Sequence, residues 1–271
     1  MLTTLVYHLA RIRAPFFKNF LIRNFSRWYK VDLDEVALRT PLDFPTFNDF
    51  FIRELVAGAR PVDDDPLAIV SPVDGSVSQA GRIEQSQLLQ AKGIGYSLDD
   101  LLAVNLETAK DFSNGNFATI YLAPHDYHRV HMPIDGELVA AHYVPGDLFS
   151  VNEATVAGVP GLFRRNERLN LHFDTAIGPV ALIFVGALNV GSISTPWTGE
   201  IRPQKRGVVE TQVLTGATTG IRKGALLGWF NMGSTVILLL PKDAVTWRET
   251  LDPGTRLRMG ERIGALHERN S

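Results

Sequence analysis

The sequence predicts a mainly β protein with helices at its N-terminus, that is, an α+β chain. Its 271 residues are 45% hydrophobic, which is enough to form a packed core. The 23 glycines and 15 prolines separate short apolar runs, a pattern typical of many strands joined by turns. Helix-like spacing is largely confined to the beginning of the chain. We therefore expect a helical region over residues 1–60 and a β-rich domain over residues 61–271.

The composition excludes several classes of protein. The chain has no cysteine, so disulfides, thiolate metal sites and a cysteine nucleophile are ruled out. The formal net charge of −2 gives no electrostatic reason to expect nucleic acid as a partner. No segment reaches the roughly 18 consecutive apolar residues that a membrane-spanning helix needs. The opening also lacks the apolar core and cleavage site of a signal peptide.

The first 30 residues are basic and aromatic. Their Arg and Lys side chains, with no acidic residue among them, are Arg11, Arg13, Lys18, Arg23, Arg27 and Lys30. Pro15 suits the start of a helix. A step of about 100° per residue then gathers the apolar side chains on one arc and the basic ones largely opposite; the apolar set is Phe17, Phe20, Leu21, Phe25 and Trp28. We expect a helix that either lies on an anionic membrane surface or packs on its own protein.

Short strands are predicted from about residue 67 onward. The segments 68–83, 116–124, 132–146, 168–195 and 234–241 are apolar runs separated by Asp-Gly, Pro-Gly and Ile-Gly-Pro turns. Ser97 is placed to cap a short helix within this region. The polar, glycine-rich segment 202–222 is expected to be a loop. Two late segments, 221–230 and 257–266, share a glycine spacing that resembles the turns of barrel-sandwich hybrids of the lipoyl and biotinyl kind.

Asp74 is the first candidate for chemistry. It lies in "SPVDGSVSQAG" (71–81), where Asp-Gly is also one of the commonest turn dipeptides. Asp74 alone therefore indicates a turn, and a catalytic role requires other reactive side chains close to it.

Three histidines in "YLAPHDYHRVHMP" (121–133) form the second candidate group, and they are His125, His128 and His131. Imidazole is a common metal ligand, but positions 125, 128 and 131 do not share one face of a strand, and no carboxylate motif accompanies them. We expect no metal site, and acid–base work or a hydrogen-bonded core position instead. Arg129 could pair with an anionic substrate or with a nearby carboxylate.

The third candidate group is Gly233-Ser234-Thr235, which precedes an aliphatic strand. With Asp74 and a histidine it completes the order Asp, His, Ser found in some serine nucleophiles. A serine hydrolase that uses intact Ser234 with His131 and Asp74 is one hypothesis. The G-x-S-x-G turn between a strand and a helix is missing, which weakens it. A non-catalytic barrel-sandwich binding module is the other alternative.

Taken together, the motifs resemble those of the bacterial phosphatidylserine decarboxylase proenzymes. The resemblance covers nearly the whole chain and depends on "TFNDFFIREL" (46–55), "SPVDGSVSQAG", "AKGIGYSLDDLL" (91–102), "YLAPHDYHRVHMP", "YVPGDLFSVN" (143–152), "FRRNERL" (163–169) and "MGSTVILLL" (232–240). Met232 stands where the family commonly has leucine. This exchange conserves volume and apolarity.

This resemblance implies that the chain cuts itself between Gly233 and Ser234. The serine hydroxyl would attack the glycine carbonyl, and elimination and hydrolysis would leave a pyruvoyl group, the covalent cofactor, at residue 234. An Asp74–His131 pair would take the hydroxyl proton, with the carboxylate fixing the imidazole tautomer. The products, residues 1–233 and 234–271, would stay associated.

The implied second reaction converts phosphatidylserine to phosphatidylethanolamine and CO2, with the pyruvoyl carbonyl as electron acceptor. His128 is the expected acid–base catalyst of this step, and Tyr121, Tyr127 and Arg129 are candidate substrate contacts. A lipid substrate favours the membrane interpretation of residues 1–30, at the inner face of the bacterial cell membrane as a peripheral protein. The resemblance also suggests a homodimer.

Overall fold

The helices of the computed structural model lie mostly before the sheets. The structure describes residues 2–38, 40–91, 94–103, 109–188, 192–203, 209–213 and 220–267. Its helices are α1 (Leu2–Ala10), α2 (Pro15–Tyr29), α3 (Phe47–Phe51), α4 (Leu98–Leu102), α5 (Glu153–Gly158) and α6 (Leu162–Arg165). Among the described residues, no helix combines the length and apolarity needed to cross a membrane.

Local sequence signals explain where several helices begin. Pro15 occupies the first turn of α2. Thr46 caps α3, since its Oγ1 accepts from the Asp49 N–H at 3.1 Å. Ser97 caps α4 in the same way, through the Asp100 N–H at 3.0 Å, which confirms the prediction for that residue.

Strands contain more of the described residues than helices do, so the fold is mainly β as predicted. They are β1 (Ala68–Val70), β2 (Gly75–Arg82), β3 (Gln87–Ala91), β4 (Ile94–Ser97), β5 (Asn116–Leu122), β6 (Arg129–His131), β7 (Gly136–Val144), β8 (Arg168–Thr175), β9 (Gly178–Gly186), β10 (Ile193–Thr195), β11 (Gly199–Ile201), β12 (Glu210–Val213), β13 (Gly220–Ile221), β14 (Leu226–Phe230), β15 (Ser234–Leu240), β16 (Val245–Trp247), β17 (Arg256–Leu257) and β18 (Arg262–Leu266). The barrel-sandwich arrangement stays a prediction.

Strand β15 lies in the middle of the largest sheet. That sheet has nine strands in the order β12-β7-β8-β9-β15-β5-β2-β17, with β13 also paired to β7. A second sheet has the order β11-β10-β14-β6, and a third the order β1-β18-β16. The predicted loop over 202–222 was partly wrong, because β12 and β13 pair with β7. Residues 204–208 and 214–219 of that segment lie outside the described residues.

The large sheet buries both of its faces. Val236, Leu238 and Leu240 of β15 point into a core shared with Leu227 and Phe230 of the second sheet, and we call this side the front face. On the opposite side, the back face, Ile237 and Leu239 pack with the apolar side chains of α4 and α6. This period-2 alternation is what a strand buried on both faces requires.

A third cluster packs the N-terminal helices against the β domain. Its buried members, which we call the aromatic cluster, are Ala10, Ile22, Val31, Val36, Phe44, Phe47, Phe50 and Phe51. Met232 also packs against this cluster. The helical region therefore touches the residue that directly precedes Gly233.

The interpretation that the N-terminal helix packs on its own protein is confirmed in part, and the membrane interpretation stays a prediction. Ile22 is buried, and Leu21 and Phe25 pack against the aromatic cluster. Phe16, Phe20 and Trp28, by contrast, are 88%, 55% and 69% exposed. The apolar arc predicted from the sequence is therefore divided between the protein and the solvent, because the cluster is narrower than the arc.

Candidate active site

Ser234 is the first residue of β15 and occupies the centre of the large sheet. It pairs with Leu122 of β5 on one side and with Gly186 of β9 on the other. Its side chain is fully buried, and among the described residues its Oγ has no hydrogen-bond partner. Native proteins leave few buried polar atoms unpaired, and a catalytic role is one reason for such an atom.

Gly233 supplies an unusual backbone just before this serine. Its φ is +23°, which lies outside the conformations that residues with a side chain commonly adopt. A Cβ at this position would meet no atom within 4 Å, so the space on that side is open. The peptide bond between Gly233 and Ser234 thus follows a glycine with a positive φ and with open space beside its Cα.

Asn231 holds the turn that leads to Gly233. Its Nδ2 donates to Ser192 Oγ at 2.7 Å and to Ser194 Oγ at 3.0 Å, and its Oδ1 accepts from Asn48 Nδ2 at 3.0 Å. The side chain therefore ties the turn to β10 and to α3.

The same network continues to α1. The Ser192 hydroxyl donates to the Glu200 carboxylate. That carboxylate also accepts from Arg11 Nη2 at 2.7 Å and from the Tyr7 hydroxyl at 3.3 Å. A continuous chain of hydrogen bonds thus connects the N-terminal helix to the turn before the Gly233–Ser234 bond.

His128 is a buried, neutral base close to that turn. Its Nδ1 donates to the Asp126 carbonyl at 2.8 Å, which leaves the lone pair on Nε2, and Nε2 has no partner among the described residues. Burial lowers the pKa of this imidazole to about 3. The ring packs on Phe51 with 4.1 Å between centroids, and the His128 carbonyl accepts from the Phe230 N–H at 3.1 Å.

His131 has partners at both ring nitrogens. Nδ1 donates to the Gly224 carbonyl at 2.8 Å, so Nε2 accepts from the Tyr127 hydroxyl at 3.2 Å. Burial raises the pKa of Tyr127 to about 12, which keeps that hydroxyl protonated as a donor. Burial also lowers the pKa of His131, although the Gly224 carbonyl opposes the shift.

The predicted hydrogen bond between Asp74 and His131 is absent from the described residues. The Asp74 carboxylate instead pairs with Arg60, at 2.8 Å from Nε to Oδ1 and 2.5 Å from Nη2 to Oδ2, and accepts from the Met259 N–H at 2.8 Å. A guanidinium fork satisfies both carboxylate oxygens at once, which explains the preference. The Gly224 carbonyl, rather than a carboxylate, fixes the His131 tautomer.

Asp74 and His131 nevertheless belong to one site. The His131 N–H donates to the Pro72 carbonyl at 2.8 Å, so the chain that carries Asp74 runs beside β6. The negative charge of Asp74 also acts on the His131 imidazole and favours its charged form.

The three candidate substrate contacts lie in different places. Tyr127 contacts His131, as described above. Arg129 donates to the Ile52 carbonyl at 3.0 Å and pairs with Glu54 at 2.9 Å, so it joins β6 to the end of α3. Tyr121 lies opposite Thr235 in the ladder and therefore faces the back, away from Ser234. A contact with substrate stays a prediction for all three.

An open cleft of about 480 Å³ lies beside Asp74 and Tyr127, while Ser234, His128 and His131 are not part of its lining. Its lining includes Arg53, Arg60, Asp74, His125, Tyr127 and Arg256. Basic side chains are therefore frequent at the entrance, although most are paired: Arg256 with Asp126 at 2.5 Å, for example.

The sequence analysis missed several residues of the site. Arg60 and Asn231 carry no local signal, because each acquires its role only from partners far away in the chain. Glu167 does carry a local signal. Every second residue after it is apolar, namely Leu169, Leu171 and Phe173, so the two-residue period of a strand places this acidic residue on an apolar face.

Fold and site together define a mainly β protein with a buried candidate site at a serine that directly follows a glycine of positive φ. Comparison with known proteins identifies the family. A family model described as phosphatidylserine decarboxylase matches residues 47–265, and a second, described as PSD, matches residues 1–30. The chain belongs to the phosphatidylserine decarboxylase family.

Individual relatives are similar over almost the full chain. The protein of Hahella chejuensis is 47% identical over 95% of this chain and 87% of its own length. The protein of Azotobacter vinelandii is 48% identical over 94% and 90%, and that of Alcanivorax borkumensis 47% over 99% and 93%. Each is named phosphatidylserine decarboxylase proenzyme.

Proposed function

We propose that this chain decarboxylates phosphatidylserine to phosphatidylethanolamine and CO2, using a pyruvoyl group made from its own Ser234. The observation that carries the proposal is the Gly233–Ser234 junction, with its left-handed glycine and its buried, unpartnered hydroxyl. The relatives are named phosphatidylserine decarboxylase proenzyme, and this name supports both the substrate and a precursor that is processed.

The first reaction is self-cleavage. Ser234 Oγ bonds to the Gly233 carbonyl carbon, the bond from that carbon to the Ser234 nitrogen breaks, and the hydroxyl proton passes to the nitrogen. The Cα of residue 234 then loses its proton, and the bond from its Cβ to the ester oxygen breaks, which releases Gly233 as a carboxylate. Hydrolysis replaces the nitrogen on Cα by oxygen and releases ammonia. The break falls at the start of β15, which keeps seven register pairs with β5 and six with β9, so residues 1–233 and 234–271 stay associated.

We propose that a relay of Asp74 and His131 accepts the proton of the Ser234 hydroxyl. The Tyr127 hydroxyl donates to His131 Nε2, which is the ring nitrogen that carries the lone pair. The negative charge of Asp74 favours the imidazolium that forms when His131 takes up a proton. Arg60 holds the Asp74 carboxylate in place, so it acts on His131 through its electric field and not through a hydrogen bond.

The residues present fit a pyruvoyl group at position 234. The Ser234 side chain has no partner that its conversion would remove, and the open side of Gly233 admits the cleaved end. Once formed, the group supplies a carbonyl that accepts electrons as CO2 leaves. His128 holds a neutral nitrogen lone pair in the same region, which suits it to accept and return a proton during decarboxylation.

The exposed side of the N-terminal helices provides the membrane contact in this proposal. Along α2, exposed Phe16 and Phe20 are followed by exposed Arg23 and Arg27, at spacings that place all four on one helix face. Lys18 is buried and bonded to the Pro41 carbonyl at 2.8 Å, and Arg11 is paired with Glu200, so neither adds to the surface attraction. We propose peripheral attachment at the inner face of the bacterial cell membrane, and a homodimer that sedimentation analysis would test.

A mass spectrum of the freshly purified chain tests the function. We expect two chains, of residues 1–233 and 234–271, with pyruvoyl at the start of the shorter one, modification of that chain by phenylhydrazine, and CO2 release from phosphatidylserine. Ser234→Ala should remain one chain and release no CO2, whereas the control Ser78→Ala in β2 should behave as the unchanged protein. A single uncut chain that is fully active would favour the serine hydrolase, a reading that neither matched family model supports.

A further inference from the structure

Glu167, Gly186 and Ser234 form one row across three neighbouring strands. The Gly186 N–H donates to the Glu167 carbonyl at 2.9 Å, which extends the β8–β9 ladder by one pair. Gly186 in turn pairs with Ser234. Directly opposed residues of antiparallel strands point to the same face of a sheet. The side chains of Glu167 and Ser234 are therefore both on the front face, with a glycine between them.

The Glu167 side chain leans across that glycine. A Cβ placed on Gly186 would lie 2.7 Å from Glu167 Cγ and 2.8 Å from its Oε1. Opposed Cβ positions on neighbouring antiparallel strands are about 4.5–5.5 Å apart. The Glu167 carboxyl group thus lies about one strand spacing from the side chain of residue 234. It occupies the space that a side chain at position 186 would fill.

This carboxyl group is buried in apolar surroundings. Glu167 is 1% exposed, and its Oε2 accepts from the Tyr143 hydroxyl at 3.0 Å. Leu169, Phe184 and Val236 belong to the core on this face. Burial raises the pKa of Glu167 to about 7, so at neutral pH the group can both hold and release a proton.

The neighbours of Glu167 have structural tasks that it does not share. Asn166 Nδ2 donates to the Gly186 carbonyl at 2.8 Å and to the Phe149 carbonyl at 2.9 Å. Arg168 donates to the carbonyls of Leu101 and Asp100, both at 2.6 Å, and so fixes the end of α4. Both residues bond to main-chain carbonyls that need a donor. Glu167 alone of the three presents an acid to the row that contains Ser234.

We propose that Glu167 is an acid–base residue for the chemistry at residue 234, reaching it across Gly186. The inference depends on the proposed function. In self-cleavage the Ser234 nitrogen must gain a proton as its bond to the Gly233 carbonyl carbon breaks. Protonated Glu167 donates a proton to this nitrogen. The proton that the Asp74–His131 relay takes from the Ser234 hydroxyl then returns Glu167 to its protonated form. The net change is one proton moved from oxygen to nitrogen.

The rate of self-cleavage tests this role before any cofactor exists. The full chain is made by cell-free translation with a short radioactive pulse, and the uncut fraction is followed on denaturing gels from pH 5.5 to 8.5. The unchanged chain should cleave more slowly as pH rises through about 7, because the acid loses its proton. Glu167→Gln keeps the size and the bond to Tyr143 but cannot donate a proton; it should cleave at least tenfold more slowly, with that pH dependence gone.

Two further variants complete the test. Gly186→Ala should also slow cleavage at least tenfold, because its methyl group displaces the carboxyl. Glu137→Gln, at an exposed glutamate of β7, should leave rate and pH profile unchanged. The inference is overturned if Glu167→Gln cleaves within twofold of the unchanged chain, or if the unchanged chain shows no fall in rate near pH 7. An unchanged chain that never cleaves overturns the proposed function itself.

Discussion

The Asp74 carboxylate forms a two-contact ion pair with the Arg60 guanidinium, 2.5 Å apart at the shorter contact between Oδ2 and Nη2. Both side chains are nearly buried, with 7% and 10% of their surface exposed. Arg60 also pairs with Glu35 at 2.8 Å, so it is the centre of a small charge network. The acid predicted to act with His131 is therefore positioned by an arginine.

Replacing Arg60 should destabilise the fold and slow self-cleavage. Arg60→Met retains much of the side-chain length but leaves Asp74 buried and without its cation. Removal of one partner of a buried pair typically costs about 3–5 kcal/mol. Urea denaturation of an uncleavable Ser234→Ala background measures this cost, and gels of the Ser234 chain measure the cleavage. Arg82→Met, which breaks the exposed pair with Asp243, is the matched control and should cost about 0–1 kcal/mol.

The sequence was sufficient for what depends on local pattern. Alternation and turn residues predicted β2, β5, β7, β8, β9 and β15, and the Ser97 cap was placed correctly. It was not sufficient for pairings between distant segments. Arg60 reaches Asp74 and Asn231 reaches Ser192 only because the sheets bring them together. The predicted Asp74–His131 bond was wrong for the same reason, because Arg60, 14 positions away in the chain, competes for the carboxylate.

Gly233→Ala should slow self-cleavage at least tenfold. At a φ of +23° a side chain strains the backbone, by about 1–3 kcal/mol, and the turn that presents the Gly233 carbonyl is expected to relax away from it. Gly254→Ala is the matched control, because Gly254 also has a positive φ, +89°, and open space around its Cα but lies outside the turn that precedes β15. It should lose similar stability and cleave normally. Equal cleavage rates in the two variants would mean that backbone strain at residue 233 is irrelevant.

Asn231→Ala should affect both stability and cleavage. It leaves buried Ser192, Ser194 and Asn48 without the amide they share, at about 1–3 kcal/mol for each group left unsatisfied. The turn before Gly233 then loses its anchor, so we expect cleavage to slow on pulse-chase gels. Asn24→Ala, which removes a single hydrogen bond on the surface of α2, is the control. Rapid cleavage by a destabilised Asn231→Ala chain would show that the network supports the fold but does not position the bond.

Buried His128 should make the fold sensitive to acid. Its pKa of about 3 in the folded chain lies below the ordinary value of 6.5, because burial disfavours the imidazolium. The contribution of neutral His128 is therefore complete above pH 6.5 and is lost as pH falls toward 3, at about 1.4 kcal/mol per pH unit. Urea unfolding at several values between pH 5 and 7.5 should show this slope as a changing difference between the parent and His128→Gln. A constant difference across that range contradicts the prediction.

The exposed aromatic side chains of α2 should carry the attachment to membranes. Phe16, Phe20 and Trp28 lie in water in the isolated chain, and burial of each in a lipid interface contributes on the order of 1–3 kcal/mol. The triple change to serine should therefore reduce binding to vesicles of phosphatidylserine and phosphatidylcholine at least tenfold in co-sedimentation.

Two further variants separate the apolar and the charged parts of this attachment. Leu89, Val139 and Leu188 are apolar side chains exposed elsewhere, to 43%, 45% and 43%, and changing all three to serine should leave binding unchanged. Arg23→Gln with Arg27→Gln should weaken binding to the anionic vesicles by about 1 kcal/mol per charge and leave binding to pure phosphatidylcholine unaltered. If the aromatic triple variant binds as tightly as its parent, α2 is not the membrane contact, and its exposed face must serve another purpose.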